Sequence, residues 1–326
     1  MKKIIIDTLG ADNGSAPIIK GTLRAIKEHE DIGVVFVGNS DNIASLCADS
    51  GIDEGRIETV HTDAYVLDTD LPTSVFNGAD DKSMVMALKR LKSDDEVIGM
   101  ITAGNTGAAL VGSIFHLSLV KGLLAPALAT AIPVKRDGYV CLVDCGANTD
   151  CNPENLRRFA LMGNAFMQAY TGIEAPKVAL MSVGRNRHKG NALIKEAYEL
   201  IEKLPINFIG NIEGCDVVNS EADVIVADGF TGNIILKNTE SAGLAALALV
   251  DELGAGLPCW QEVHDAIYNM FAFNDRGGAV FLGTNKTVVK MHGCANEYTA
   301  YACVNLLMKL ENGNFSEKVA EALQNN

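Results

Sequence analysis

Short apolar runs alternate with amphipathic stretches along most of the chain. Ile4 to Asp7, Val34 to Val37, Ile57 to Val60, Val97 to Ile101, Val178 to Val183 and Val224 to Ala227 are brief, apolar and mostly rich in β-branched residues. Such runs predict strands covered on both faces. Asn207 to Asn211 reads as one more strand running into a turn. Between the runs, apolar spacing near 3.6 predicts helices at about Pro17–Glu30, Asp41–Ala48, Ser83–Leu91 and Gly107–Leu119. Others follow from Pro153 through Phe166, from Ala192 to Lys203, and from Asn296 to Leu310, with a weaker one in the polar tail. Pro17 suits a first helical turn, and Asp12 and Asn13 could cap that helix or face a site. Strand–helix alternation of this kind predicts an α/β fold with a largely parallel sheet.

Three stretches depart from the alternation. Leu128 to Val134 and Tyr139 to Val143 flank Lys135-Arg136-Asp137-Gly138, a hairpin signal that makes the sheet mixed. Residues 62–82 hold five aspartates (63, 68, 70, 80 and 81) with little periodicity and read as a long loop, a kind often functional. In residues 238–275, Leu244, Leu247, Val250 and Leu253 form one apolar stripe. Trp260, Val263, Ile267, Met270, Phe271 and Phe273 form a second beyond Gly254 to Pro258. We read two helices in a projecting hairpin, which could pack on the core or on another copy. Alternatively, its apolar tip could meet a membrane surface or an acyl chain. Gly277-Gly278-Ala279 then reads as a tight turn, and Thr287 to Met291 as a strand leading to His292-Gly293-Cys294-Ala295.

Composition narrows the field. The 326 residues are 48% hydrophobic and 21% charged, which fits a globular chain. A net charge of −14 supplies no global field for nucleic acid, although a local positive site could hold a small anion. No apolar run reaches membrane-spanning length, and the run after Met1-Lys2-Lys3 is too short for a signal peptide, so a cytoplasmic location is expected. Eight cysteines make no disulfide scaffold, and Cys141, Cys145 and Cys151 lack zinc-site spacing, so reduced thiols are expected. Cys294, beside His292, is the thiol to follow.

The chemistry gathers at strand ends. Val97 to Ile101 runs into Thr102-Ala103-Gly104-Asn105-Thr106-Gly107 and then a helix. This order can present backbone N–H groups to an anion, or can merely permit a tight connection. Asp7 and Asp228 close strands, as does the small-residue turn Asp144-Cys145-Gly146-Ala147-Asn148. Gly184-Arg185-Asn186-Arg187-His188-Lys189-Gly190-Asn191 crowds four potential cations into one turn, either an anion-attracting patch or a solvated loop.

Taken in order, these motifs resemble the bacterial phosphate acyltransferases, which convert acyl-carrier-protein thioesters and inorganic phosphate into acyl phosphate for phospholipid synthesis. The resemblance rests on Thr102 to Ala108, Asp144 to Asn148 with Cys151 and Pro153, and Phe159 to Gly163. It continues through Lys189 to Asn191, Asn207 to Gly214, Asp228 to Asn233, Gly277 to Ala279 and Lys290 to Gly293, spanning nearly the whole chain. It implies a Rossmann-like α/β/α sandwich of the phosphotransacetylase and isopropylmalate dehydrogenase kind, in a homodimer. It also implies peripheral membrane association through the 238–275 hairpin, and neither metal nor cofactor. We expect one α/β domain over residues 1–326, with the hairpin an excursion within it. The turns at 10–17, 77–83, 185–186 and 294–295 differ from the family pattern.

On this basis phosphate is assigned to Thr102, Gly104, Asn105, Thr106 and Gly107. Lys189 is assigned to charge stabilisation, His292 to proton transfer, and Asp228 and Asp7 to orienting these groups; Asn148, Asn191 and Asn233 are further substrate-side candidates. Expected partners are acyl carrier protein, inorganic phosphate and a long acyl chain. Two alternatives stand beside this: a short-chain phosphate acetyl- or butyryltransferase using coenzyme A thioesters, and a non-catalytic paralogue that binds acyl ligands.

Overall fold

A computed structural model describes residues 1–76, 78–134, 138–272 and 277–325. Asn77 of the 77–83 turn, Lys135–Asp137 of the hairpin connection, and Phe273 to Asp275 at the end of the 238–275 stretch lie outside the described residues. In chain order the elements begin with β1 (Lys3–Asp7), α1 (Ser15–Glu28), β2 (Gly33–Gly38), α2 (Ser40–Cys47), β3 (Ile57–His61), α3 (Ser83–Ser93), β4 (Val97–Thr102) and α4 (Thr106–Leu117). They continue with β5 (Ala127–Val134), β6 (Gly138–Val143), α5 (Pro153–Thr171), β7 (Lys177–Met181), α6 (Ala192–Ile201), β8 (Asn207–Ile212), β9 (Val224–Val226), α7 (Gly229–Gly254) and α8 (Trp260–Phe271). The last are β10 (Ala279–Leu282), β11 (Thr287–Lys290), α9 (Glu297–Asn312) and α10 (Phe315–Gln324).

The chain divides into two compact units. The first takes in Met1–Pro126 and Asn274–Gln324, the second Ala127–Phe273. In the first, strands run in the order β3-β2-β1-β4-β11-β10, and every pairing is parallel except β10 with β11. From β1 the chain moves outward to β2 and β3, then returns to place β4 on the other side of β1. The carboxyl ends of β1 and β4 therefore flank a topological switch point, where open α/β sheets leave a crevice for ligands. Interior residues such as Ile4, Val35, Val37 and Met100 are fully buried, so the strands read as continuous apolar runs rather than alternating ones.

In the second unit the order is β5-β6-β9-β7-β8, with β5 and β6 antiparallel and the rest parallel. Val134 pairs with Gly138, which is the hairpin predicted around residue 136. The sheet is thus mixed and mostly parallel, an α/β Rossmann-like arrangement.

Three local expectations are corrected. The helix expected from about residue 238 begins at Gly229, so the residues after the strand Val224–Val226 open that helix directly, with Asp228 as its N-cap. Its glycines mislead a sequence reading. They sit in the first turn because a Cβ at Gly232 would lie 1.9 Å from the Asp144 carbonyl oxygen and one at Gly229 2.5 Å from that of Asn148. Close backbone approach demands glycine there, whatever its low helix propensity. Next, Ala279–Leu282 forms β10, whose four residues give too short a run to separate from a turn. Last, neither Asp12 nor Asn13 caps α1. Gly14 occupies the N-cap without a side-chain bond, and Asn13 Nδ2 donates instead to the carbonyls of Cys294 at 2.9 Å and Ala295 at 3.3 Å.

Helices α7 and α8 lie against each other. Phe271 seats on Gly243, where a Cβ would come within 2.0 Å of its ring, and His264 pairs with Asp251 at 2.8 Å. At the far end of the pair Leu249, Leu253, Leu257 and Val263 line an apolar hollow, and Leu253 is 77% exposed. Among the described residues no helix is long and apolar enough to cross a membrane.

Candidate active site

In the first unit three turns meet at the carboxyl edge of the sheet. Strand register places Asp7 beside Thr102, and Thr102 beside Lys290. The turn after β1 touches the turn after β4 at Gly10, which has φ +80° and whose Cβ, were there one, would lie 3.1 Å from the Gly104 Cα. It touches the turn after β11 through the Asp12 N–H, which donates to the Gly293 carbonyl at 2.9 Å. Met291 N–H donates to the Thr102 carbonyl at 2.8 Å, closing the set.

Beneath this edge runs a buried polar chain. Thr102 Oγ1 donates to Asp7 Oδ2 at 2.8 Å and accepts the Gly104 N–H at 3.0 Å. Leu9 N–H donates to Asp7 Oδ1 at 3.3 Å. Burial pushes the Asp7 carboxyl up to about 6, against the opposing pull of the Ser83 and Thr102 hydroxyls and of Lys290. Both Thr102 and Asp7 are sealed from solvent, so they set the shape of the turn rather than touch a ligand.

The Asn105 carboxamide is likewise committed. Oδ1 caps α4 by accepting the Ala108 N–H at 2.9 Å, while Nδ2 donates to the carbonyls of Leu67 at 3.3 Å and Asp68 at 3.2 Å. Pro72 of the acidic loop lies against Gly107. With Gly104 N–H turned inward and Ala108 N–H capped, the backbone N–H groups of Asn105, Thr106 and Gly107 have no protein acceptor among the described residues. These are orphan donors of the first helical turn, at the positive end of the helix. Thr106 is exposed and adds a hydroxyl. On the neighbouring turn His292 Nδ1 lies 2.9 Å from the exposed Cys294 Sγ.

The second unit holds the other candidates in two places. Asp144 is fully buried yet accepts five bonds: Oδ1 from the N–H groups of Leu128, Gly146 and Ala147 at 3.0, 3.1 and 3.0 Å, and Oδ2 from Asn148 N and Nδ2 at 2.7 and 2.8 Å. The N-terminus of α7 packs on this turn. Asp228 caps it, accepting Thr231 N–H at 2.9 Å and Thr231 Oγ1 at 2.7 Å, and Asn233 Nδ2 donates to the Cys145 carbonyl at 3.2 Å. The structure thus brings Asn148, Asp228 and Asn233 together. Lys189 and Asn191 sit on the separate turn between β7 and α6. Asn191 caps α6 through the Ile194 N–H at 3.0 Å, Lys189 is exposed, and Arg185 and Arg187 pair with Asp216 at 2.7 Å and Glu202 at 3.2 Å.

Two residues central to this geometry, Asp144 and Lys290, are not among the site candidates that the sequence singles out. Asp144 stood in a noted turn, but five inward donors are not visible in a linear pattern. Lys290 carried a legible signal, a single lysine closing the strand Thr287-Val288-Val289.

Against known proteins, a family profile described as "Fatty acid synthesis protein" matches residues 2–318. The phosphate acyltransferase of Clostridioides difficile (strain 630) is 37% identical over 97% of this chain and 95% of its own length. That of Dictyoglomus turgidum is 33% identical over 98% and 97%. Among solved structures, a phosphotransacetylase from Streptococcus pyogenes superposes with a TM-score of 0.62 at 14% identity, covering 99% of this chain and 94% of that one. A branched-chain phosphotransacylase from Enterococcus faecalis V583 gives 0.61, also at 14%, over 95% and 99%. These two likenesses carry the fold. The sequence matches carry more, and by them this chain belongs to the fatty acid synthesis protein family, that of the bacterial phosphate acyltransferases.

Proposed function

We propose that this acyltransferase joins inorganic phosphate to the acyl group of a long-chain acyl-carrier-protein thioester, giving the acyl phosphate used in phospholipid synthesis. The observation that carries the reading is the set of three unbonded amides at the start of α4, placed at the switch point of the first unit. A phosphate dianion needs such fixed donors, and a helix N-terminus supplies them with a favourable dipole.

A phosphate oxygen attacks the thioester carbonyl carbon, a tetrahedral oxyanion forms, and the C–S bond then breaks. The acyl group leaves on phosphate and the carrier thiolate takes up a proton. Phosphate is already a nucleophile, so binding and alignment near attack distance supply much of the rate. In this proposal Asn105, Thr106 and Gly107 hold phosphate through their main-chain N–H groups, while Asp7, Thr102 and Gly104 shape the turn. His292 exchanges the proton. Asn148, Asp228 and Asn233 form a second polar cluster, and Asn191 with Lys189 a third, as candidate substrate contacts. The exposed apolar end of the α7–α8 pair supports peripheral contact with a membrane, where a long-chain product is used. A homodimer in the cytoplasm completes the proposal.

The test is a panel of donors with purified full-length protein. Palmitoyl carrier protein is expected to exceed acetyl- and butyryl-coenzyme A by at least tenfold in kcat/KM. Faster turnover of short coenzyme A thioesters would replace the carrier-protein reading. Binding of acyl donors without turnover would leave only a ligand-binding paralogue.

A further inference from the structure

Lys290 closes β11 behind three uncharged residues and is only 7% exposed. A buried ammonium is unfavourable unless its protons find acceptors. Two do: Nζ donates to the Ala103 carbonyl at 3.0 Å and to the Met291 carbonyl. A lysine has three such protons, and among the described residues no acceptor is recorded for the third.

Both acceptors matter for where they stand. The Ala103 carbonyl belongs to the peptide that enters the Gly104–Gly107 turn, and the Met291 carbonyl to the peptide that enters His292. One ammonium therefore grips the start of two of the three turns at this edge. With the Ala103 carbonyl bonded to Lys290 and the Gly104 N–H bonded to Thr102, the one peptide unit that opens the turn is pinned from both sides. The next three amides are left without protein acceptors. A methionine or leucine would fill the same space at lower cost, which makes the charge itself the feature to explain.

We infer that Lys290 is a positioning residue of the phosphate site, its ammonium fixing the α4 amides for the anion and providing the resident positive charge beneath it. The inference rests on the phosphate-transfer reading above and adds the cation that reading lacks in the first unit. The groups facing Lys290 are Asp7 at the end of β1, Asp12 in the turn before α1, Asp68 in the loop before α3, and Cys303 on α9. Burial brings Lys290 down to about 8, with the carboxylates of Asp68, Asp7 and Asp12 opposing the fall. Burial also pushes Cys303 up to about 12, so it is a neutral thiol at working pH.

The experiment compares wild type with Lys290→Met and Lys290→Arg, as full-length protein, by steady-state kinetics and by the thermal shift that inorganic phosphate produces. Lys290→Met is expected to raise the phosphate KM at least tenfold, leave the donor KM within about twofold, and lose the phosphate-induced shift. Wild-type phosphate affinity is expected to decline between about pH 7.5 and 9. Lys290→Arg, which stays charged, is expected to be flat over that range. A Met variant with wild-type phosphate KM, or wild-type and Arg profiles that run parallel, overturns the inference. Should the Met variant fail to fold, the two profiles decide. A wild type that neither forms acyl phosphate nor responds to phosphate removes the transferase reading and this inference with it. An active wild type with an unaffected Met variant removes Lys290 alone.

Discussion

Asp144→Ala is expected to cost the second unit about 3–5 kcal/mol, among the largest effects of any single substitution. Five donors converge on this fully buried carboxylate, four of them main-chain N–H groups of Leu128, Gly146, Ala147 and Asn148. Removing the acceptor strands them in a site where α7 already approaches to backbone contact through Gly229 and Gly232. Because Gly229 N–H donates to the Asn148 carbonyl at 2.8 Å, the start of α7 should loosen as well. Thermal and urea unfolding would read the loss, which for a unit of this size amounts to roughly 10 °C. Asp144→Asn keeps one oxygen acceptor and should fall between the two. A change below about 1 kcal/mol in the alanine variant would show that the five bonds do not hold this turn.

The second large effect concerns rate. Thr102→Val keeps the shape of the side chain and removes the hydroxyl that links Asp7 to the Gly104 N–H. Two buried groups lose their partner together. The Gly104 N–H is then free to turn outward, which spoils the alignment of the three amides beyond it. Turnover at low phosphate should drop about 10- to 100-fold, equivalent to roughly 1.4–2.7 kcal/mol of lost transition-state stabilisation. The hydroxyl also helps hold the Asp7 carboxyl down, so its loss should move Asp7 above its value of about 6 and carry the acid limb of the rate profile upward. Thr102→Ser retains the hydroxyl and should restore most of the rate. Equal rates for valine and serine would mean that the buried chain does not set the turn.

Much of the geometry of this candidate site was legible in the sequence, for a definite reason. Strands such as Ile4 to Asp7 and Val97 to Thr102 are buried on both faces, so their apolar runs and their polar ends are plain. The end of a parallel strand is where a ligand-facing turn must begin, and Asp7, Thr102 and Gly104 to Gly107 fall at such ends. Less legible was what each side chain does. Asn105 looks like a ligand donor in sequence, but its carboxamide is consumed by the α4 cap and the Leu67–Asp70 loop. Asp12 and Asn13 read as caps of α1 or as residues facing a site, and what they do is staple one turn to another 281 residues away. Those assignments depend on contacts between distant segments, which no local period encodes. Lys290 was visible as an odd charge in an apolar strand, yet only the fold brings it beneath the turn after β4.

The central claim is that the α4 turn binds inorganic phosphate as the acyl acceptor. It is tested most directly by incubating purified protein with palmitoyl carrier protein and radiolabelled phosphate, then trapping the product with hydroxylamine. The account predicts labelled acyl phosphate in step with free carrier thiol, saturable in phosphate and reduced at least tenfold in Thr102→Val. Thiol release that is independent of phosphate, or no labelled product beside an active relative run as control, would contradict it.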